Sequence, residues 1–227
     1  MRRVTFQRAR SEEQRQVRRQ AILDTTAAML DAMPVSDVTL NEISRRVGLA
    51  KSNVLRYFES REAILLELLD RAGKQWLAGL DAELAAGVVP HGSVRQRGDQ
   101  CAAAVARSLV GQRVLCDLFS AQAGVLEHNV SIEVAARYKR ASHATLAALG
   151  ALLRRHLPEL DEPTGWRTSG LAVVTIGALW SHCQPSPSML AAYRSDPALA
   201  ALRLEFTDAV EEALAVLLAG ALARAGG

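Results

Sequence analysis

The chain has 227 residues, 49% of them hydrophobic but only 4% aromatic, and carries a net charge of +3. That length admits one large or two modest domains, and a core of Ala, Leu and Val favours helices over strands. No apolar run approaches the ~18 residues of a membrane span, no signal-peptide core opens the chain, and Cys101, Cys116 and Cys183 show no C-x-x-C spacing. A soluble, cytoplasmic protein with reduced thiols is therefore expected, with no membrane partner.

Charge is unevenly spread. Residues 1–20 hold seven Arg against two Glu, and residues 1–62 have a net charge of +4, which leaves −1 for the remainder. A basic head on a near-neutral body suits a polyanion-binding module joined to a second function.

Residues 1–10 read as a flexible basic arm. An S-x-x-Q pattern from Ser11 to Gln14 can cap a first helix running to Met33, with Ile22, Thr26, Met29 and Met33 along its buried stripe and Pro34 as its stop. Thr39 then begins a T-x-x-E capping box with Glu42. Ile43 and Val47 share one helical face, Gly48 supplies a turn, and Val54 and Phe58 continue an apolar face in the next segment. Lys51, Ser52, Asn53 and Arg56 occupy the opposite face. A helix that packs one side and offers a short polar and basic face outward is what a helix-turn-helix requires. An ordinary αα-hairpin shares the cap and the glycine, so the hairpin alone leaves both readings open.

Ser60 can cap a long helix to about residue 86, carrying Ile64, Leu65, Leu68, Leu69, Ala72, Trp76, Leu80 and Leu84 from head into body. A loop at 87–92 follows. Further helices are expected at about 93–110, 112–126, 131–156, 166–183 and 197–224, with turns at 161–165 and 184–188. The fold class is all-α.

Catalytic and metal chemistry find little support. No H-E-x-x-H, G-x-S-x-G, Walker A or dinucleotide-binding glycine pattern occurs. His182 and Cys183 are adjacent, so on a helix they diverge by roughly 100° and cannot readily share an ion. Glu211 and Glu212 read as a solvated edge. Neither a cofactor nor a metal is expected.

The run QAILDTTAAMLDAM, then VTLNEISRRVG, then LAKSNVLRYFESREAILLELL, resembles the DNA-binding domain of the tetracycline-repressor (TetR) family over about residues 15 to 72. The turn glycine corresponds to Gly48, the aromatic pair to Tyr57 and Phe58, and the helix-opening S-K-E to Ser60-Arg61-Glu62. Three positions depart from the family pattern: Leu55 stands where a phosphate-contacting tyrosine is usual, Arg61 replaces the lysine, and Ala50 replaces a capping Ser or Thr.

The resemblance implies an N-terminal three-helix helix-turn-helix domain and a C-terminal helical ligand-binding and dimerisation domain, here 11–59 and 60–227. It implies a homodimeric repressor that binds a palindromic double-stranded DNA operator and is released by a small, mostly hydrophobic effector. The DNA contacts would come from Thr39, Lys51, Ser52, Asn53, Arg56, Tyr57 and Arg61; by analogy with other basic arms, Arg8 and Arg10 would reach the adjacent minor groove. The effector would meet Trp76, Cys116, Phe119, Asn129, Tyr138, His143 and Trp180, an apolar wall with a few polar groups. Leu171, Val174 and Ala178, with Phe206, Val210, Ala213 and Leu217, would form the dimer interface. The rival readings are an all-helical carrier or enzyme with an incidental helix-turn-helix, and a DNA-binding protein without a ligand.

Overall fold

The computed structural model describes residues 2–225, with side chains from residue 12 onward. It is all-α, and among the described residues there is no strand and no helix long and apolar enough to cross a membrane. The residues fall into two compact units. The head comprises Met1–Leu69 with Ala121–Tyr138, and the body comprises Asp70–Ser120 with Lys139–Gly227.

In the head, α1 (Arg2–Ala32), a 3-10 turn (Val35–Asp37), α2 (Leu40–Val47) and α3 (Lys51–Val54) precede the first turns of α4 (Arg61–Gly87). Ile22, Met29 and Leu30 of α1 meet Ile43, Val54, Ile64 and Leu65 in a core with no exposed side chain among them. Each such aliphatic side chain contributes about 1.5–3 kcal/mol by leaving water. Thr26 is buried with them, its hydroxyl donating to the Ile22 carbonyl at 2.8 Å. The backbone corrects the arm expected at residues 1–10: α1 is already helical at Arg2 and passes through Ser11 without a break. Nothing between Arg2 and Ala32 opposes this, for the segment has neither Gly nor Pro. The side chains of Arg8 and Arg10 lie outside the described residues.

The body holds the rest of α4, α5 (Val94–Ser108), α6 (Arg113–Ala121), most of α7 (Ile132–His156), α8 (Glu162–His182), α9 (Pro187–Ser195), α10 (Pro197–Ala200) and α11 (Phe206–Ala225). The last residue of α6, Ala121, and a π-helical turn at Gln122–Leu126 belong to the head unit. Trp76, Leu80 and Leu84 of α4 share the body core with Leu115 and Leu118 of α6, Ile176 of α8 and Val210 of α11. Small residues let these helices close in: a Cβ on Gly150 of α7 would stand 3.0 Å from the backbone of Gly165 in α8.

Two helix starts differ from expectation. The turn expected at 161–165 is the opening of α8, because the Asp161 carboxylate accepts the Thr164 amide at 2.7 Å and Pro163 sits in the first turn. The single final helix expected from 197 is interrupted. Ser186 and Asp196 cap α9 and α10, each with a proline in its first turn, and α11 begins only at Phe206.

Candidate nucleic-acid interface

The first helix of the hairpin is held as its sequence suggests. Thr39 Oγ1 accepts the Glu42 amide at 3.2 Å, and Gly48 takes φ 72, the left-handed conformation that closes α2. The returning arm of the capping box goes elsewhere. Glu42 accepts Arg45 Nε and Nη2 at 2.9 and 2.6 Å and Arg46 Nε at 2.8 Å. These two guanidinium groups, Arg45 first, pull its carboxyl down to about 2. One carboxylate thus serves both arginines of α2, leaving a net charge of +1 beside the turn. As Ala50 predicts, α3 starts without a side-chain cap.

On α3, Val54 is buried while Lys51, Ser52 and Asn53 are exposed together. Arg56 and Thr39 are exposed as well, and Tyr57 is half-buried. Leu55, in the position of the usual tyrosine, leaves an apolar side chain 41% exposed on this face.

Arg61 departs from its expected place among the DNA contacts. Its Nη2 donates to the Val35 carbonyl at 2.5 Å, Nη1 to Glu62 at 3.3 Å, and the side chain is 18% exposed. The charge turns back onto the α1–α2 connection because the Val35 carbonyl, which also accepts the Val38 amide at 3.3 Å, and a carboxylate are both within its reach. Two residues overlooked in the sequence complete the frame. Arg19 ties α1 to Glu67 of α4 and to the Tyr57 carbonyl. Glu59 accepts the Ser131 amide at 2.6 Å, and that bond, with the Ser131 side chain next in weight, lowers its carboxyl below the usual range.

The residues expected to line an effector site are divided between the two units. Asn129 and Tyr138 belong to the head; the other five belong to the body. Trp76 is buried and donates Nε1 to Ser108 Oγ at 2.8 Å, with Phe119 edge-on at 6.3 Å between ring centres. Cys116 is wholly buried, and burial pushes its thiol up to about 12. Trp180 packs edge-on against Phe206 at 4.9 Å and donates Nε1 to Asp117 Oδ1 at 2.5 Å. Asp117 Oδ2 is buried with no hydrogen-bond partner, although Arg113 Nε lies 4.0 Å away. The signal for Asp117 was available: it is the one charge within the apolar run Val114–Phe119. His143 stands apart, exposed beside Trp166 at 5.6 Å.

The expected dimer residues divide by helix. On α8, Leu171 is 56% and Val174 70% exposed, with Ala178 also exposed on the same face. On α11, Val210 is wholly buried, so it serves this subunit's own core and is removed from the interface set. Phe206, Ala213 and Leu217 are half-buried. A helix has two apolar flanks when it packs on both α5 and α8, as α11 does, and residue spacing alone does not separate them.

Two family models cover almost all of this geometry. One for bacterial regulatory proteins of the tetR family matches residues 22–68, and one for the tetracyclin repressor-like C-terminal domain matches residues 70–225. The HTH-type transcriptional regulator EthR of Mycobacterium tuberculosis and of Mycobacterium bovis is 36% identical over 55 residues, which are 24% of this chain and 26% of that protein. The match thus spans about a quarter of those relatives' length. Among solved structures, a possible TetR family transcriptional regulator from Streptomyces coelicolor A3(2) aligns with TM-score 0.54 at 18% identity, over 89% of this chain and 97% of that one. A TetR transcriptional regulator from Rhodococcus sp. RHA1 aligns with TM-score 0.52 at 13% identity, over 93% and 97%. At these identities the two structures speak to the fold alone.

Proposed function

Since the chain belongs to the TetR family, whose members are transcriptional regulators and not enzymes, we propose that it is a cytoplasmic repressor that binds a palindromic operator as a homodimer and lets go when a small molecule enters the body. The observation that carries the reading is the joint exposure of Lys51, Ser52 and Asn53 on α3, behind a capped helix and a left-handed Gly48 turn. Asn53 has the donor and acceptor needed for an adenine edge, while Lys51 and the Thr39 hydroxyl suit phosphates.

The exposed Leu171, Val174 and Ala178 face of α8 supports pairing with a second copy, and two half-sites roughly 34–36 Å apart call for such a dimer. For the effector, Phe119 and Trp180 with the unsatisfied Asp117 Oδ2 offer apolar surface and one polar anchor inside the body. The effector class this favours is a mostly hydrophobic molecule bearing a hydrogen-bond donor.

Affinity for a duplex selected from a random-sequence pool, measured against salt, tests the reading. The expected outcome is a steep log-linear loss with salt, flattened by about one unit per site in Lys51→Ala. A protein without salt-dependent duplex binding overturns it.

A further inference from the structure

A groove of about 870 Å3 opens between α1 and the turn that follows α3, lined from one side by Arg15, Val17 and Arg18 and from the other by Arg56 and Tyr57. We propose that this groove seats the sugar-phosphate backbone of the operator outside the major-groove segment met by α3, so that α1 extends the footprint into flanking DNA. The proposal rests on the DNA-binding reading above and adds the α1 residues, which that reading does not use, to Arg56 and Tyr57, which it does.

The charge of the groove is the first argument. Three guanidinium groups face it against one carboxylate, Glu13. The neighbouring charges of α1 are engaged elsewhere: Arg19 holds Glu67, and Glu12 accepts Gln16. No ion pair among the described residues engages Arg15, Arg18 or Arg56, and all three are exposed. Placement is the second argument. Arg15 and Arg18 are three residues apart, so they project from one face of the helix. Arg56 and Tyr57 come directly after the exposed α3 residues on the same chain segment, so the polyanion that reaches α3 passes this groove next.

Its surface chemistry fits a nucleic-acid strand better than a free anion. Val17 is 64% exposed, an apolar strip between cations that matches the alternation of deoxyribose and phosphate. Guanidinium forks bind phosphate oxygens bidentately, which suits arginine here. On this assignment Arg56 holds a phosphate, leaving Asn53 as the main reader of a base edge.

The test uses the full chain and two duplexes taken from one sequence selected out of a random pool, one trimmed to the core footprint and one extended by roughly one half-turn on each side, the half-turn following from the ~10-base-pair helical repeat. Wild type should bind the extended duplex about tenfold more tightly. Arg15→Ala/Arg18→Ala should bind the trimmed duplex like wild type, lose most of the gain from the flanks, and show a salt slope on the extended duplex smaller by about two units per subunit. Glu13→Gln, which removes the opposing charge, should bind the extended duplex more tightly than wild type, a gain that a merely structural role for α1 would not produce. Circular dichroism and melting of both variants should match wild type, because the altered side chains are exposed.

The proposal is overturned if the double variant keeps the full flank gain and slope, or if it weakens both duplexes equally, which would place these arginines at the half-site itself. Failure of wild type to bind either duplex in a salt-dependent way would instead overturn the DNA-binding reading on which the groove depends.

Discussion

The guanidinium carbon of Arg19 lies 4.0 Å from the centre of the Phe58 ring, while Nε donates to Glu67 Oε1 at 3.2 Å and Nη1 to the Tyr57 carbonyl at 2.5 Å. One side chain thus joins α1, the segment after α3 and α4. It covers the aromatic residue that closes the head core and satisfies a carbonyl where α3 has ended. Arg19→Ala should destabilise the protein by about 2 kcal/mol, combining a lost cation–π contact with a carboxylate and a carbonyl left short of donors. Arg19→Lys should not restore it, since an ammonium cannot fork to Glu67 and stack on Phe58 together. Denaturant midpoints measure this, and wild-type stability in Arg19→Ala would refute the clamp.

Arg61 separates a structural charge from a DNA-facing one. Its Nη2 and Nη1 donate to Val35 and Glu62, while Nε is buried without a hydrogen-bond partner. Arg61→Ala should therefore lower the melting temperature, by the equivalent of about 1 kcal/mol for the lost hydrogen bonds, the Val35 carbonyl keeping only the Val38 amide. The salt slope of duplex binding should stay as in wild type. A slope reduced by a full unit would show that Arg61 reaches a phosphate after all.

These two arginines show what the sequence could and could not convey. The α2–turn–α3 hairpin was legible because its determinants are local: a cap at Thr39, a glycine forced to positive φ, and apolar residues at helical spacing. The bond from Arg61 to Val35 was not legible, because a basic residue looks alike whether it faces phosphate or a distant carbonyl, and Val35 lies 26 positions away. Asp117 and Trp180, 63 positions apart, likewise meet only through the fold. The early start of α8 had a local signal, Asp161 with Pro163, which the apolar periodicity of the neighbouring residues masked, whereas Asp196-Pro197 opens α10 at the expected place and gives no sign that α11 begins only at Phe206. The face of Val210 had none, because α11 is apolar toward both α5 and α8.

Acid should loosen the body through Glu159. This carboxylate pairs with the buried Arg97, whose Nη1 also donates to the His156 carbonyl at 2.5 Å and Nε to the Gly92 carbonyl at 3.2 Å. The Arg97 hydrogen bond holds the Glu159 carboxyl below its ordinary 4.5. Because the folded value is depressed, the unfolded chain binds the proton more readily. The stabilisation is complete above the unfolded value and is lost as pH falls through the folded one. Melting temperatures of wild type and Glu159→Gln should therefore differ most above about pH 5 and converge as the pH drops below that range. A constant gap down to pH 3 would mean that the pair does not titrate with folding.

Two valines should respond to the same substitution in opposite ways. Val210 of α11 is wholly buried within its own subunit, whereas Val174 of α8 is 70% exposed in the single chain. Val210→Asp places an unpaired carboxylate in a core, a change that costs several kcal/mol, enough to unfold a domain of ordinary stability. Its expected signature is loss of the cooperative melt and not a folded monomer. Val174→Asp leaves the charge in water as long as the subunit is alone, so helical content should persist. In a dimer closed by α8 the same aspartate meets its symmetry copy across an apolar face, and two desolvated like charges drive the subunits apart. Light scattering should find a folded monomer, and binding to a two-half-site duplex should weaken to the level of a single half-site. A Val174→Asp protein that remains a dimer with wild-type operator affinity would show that α8 does not form the interface.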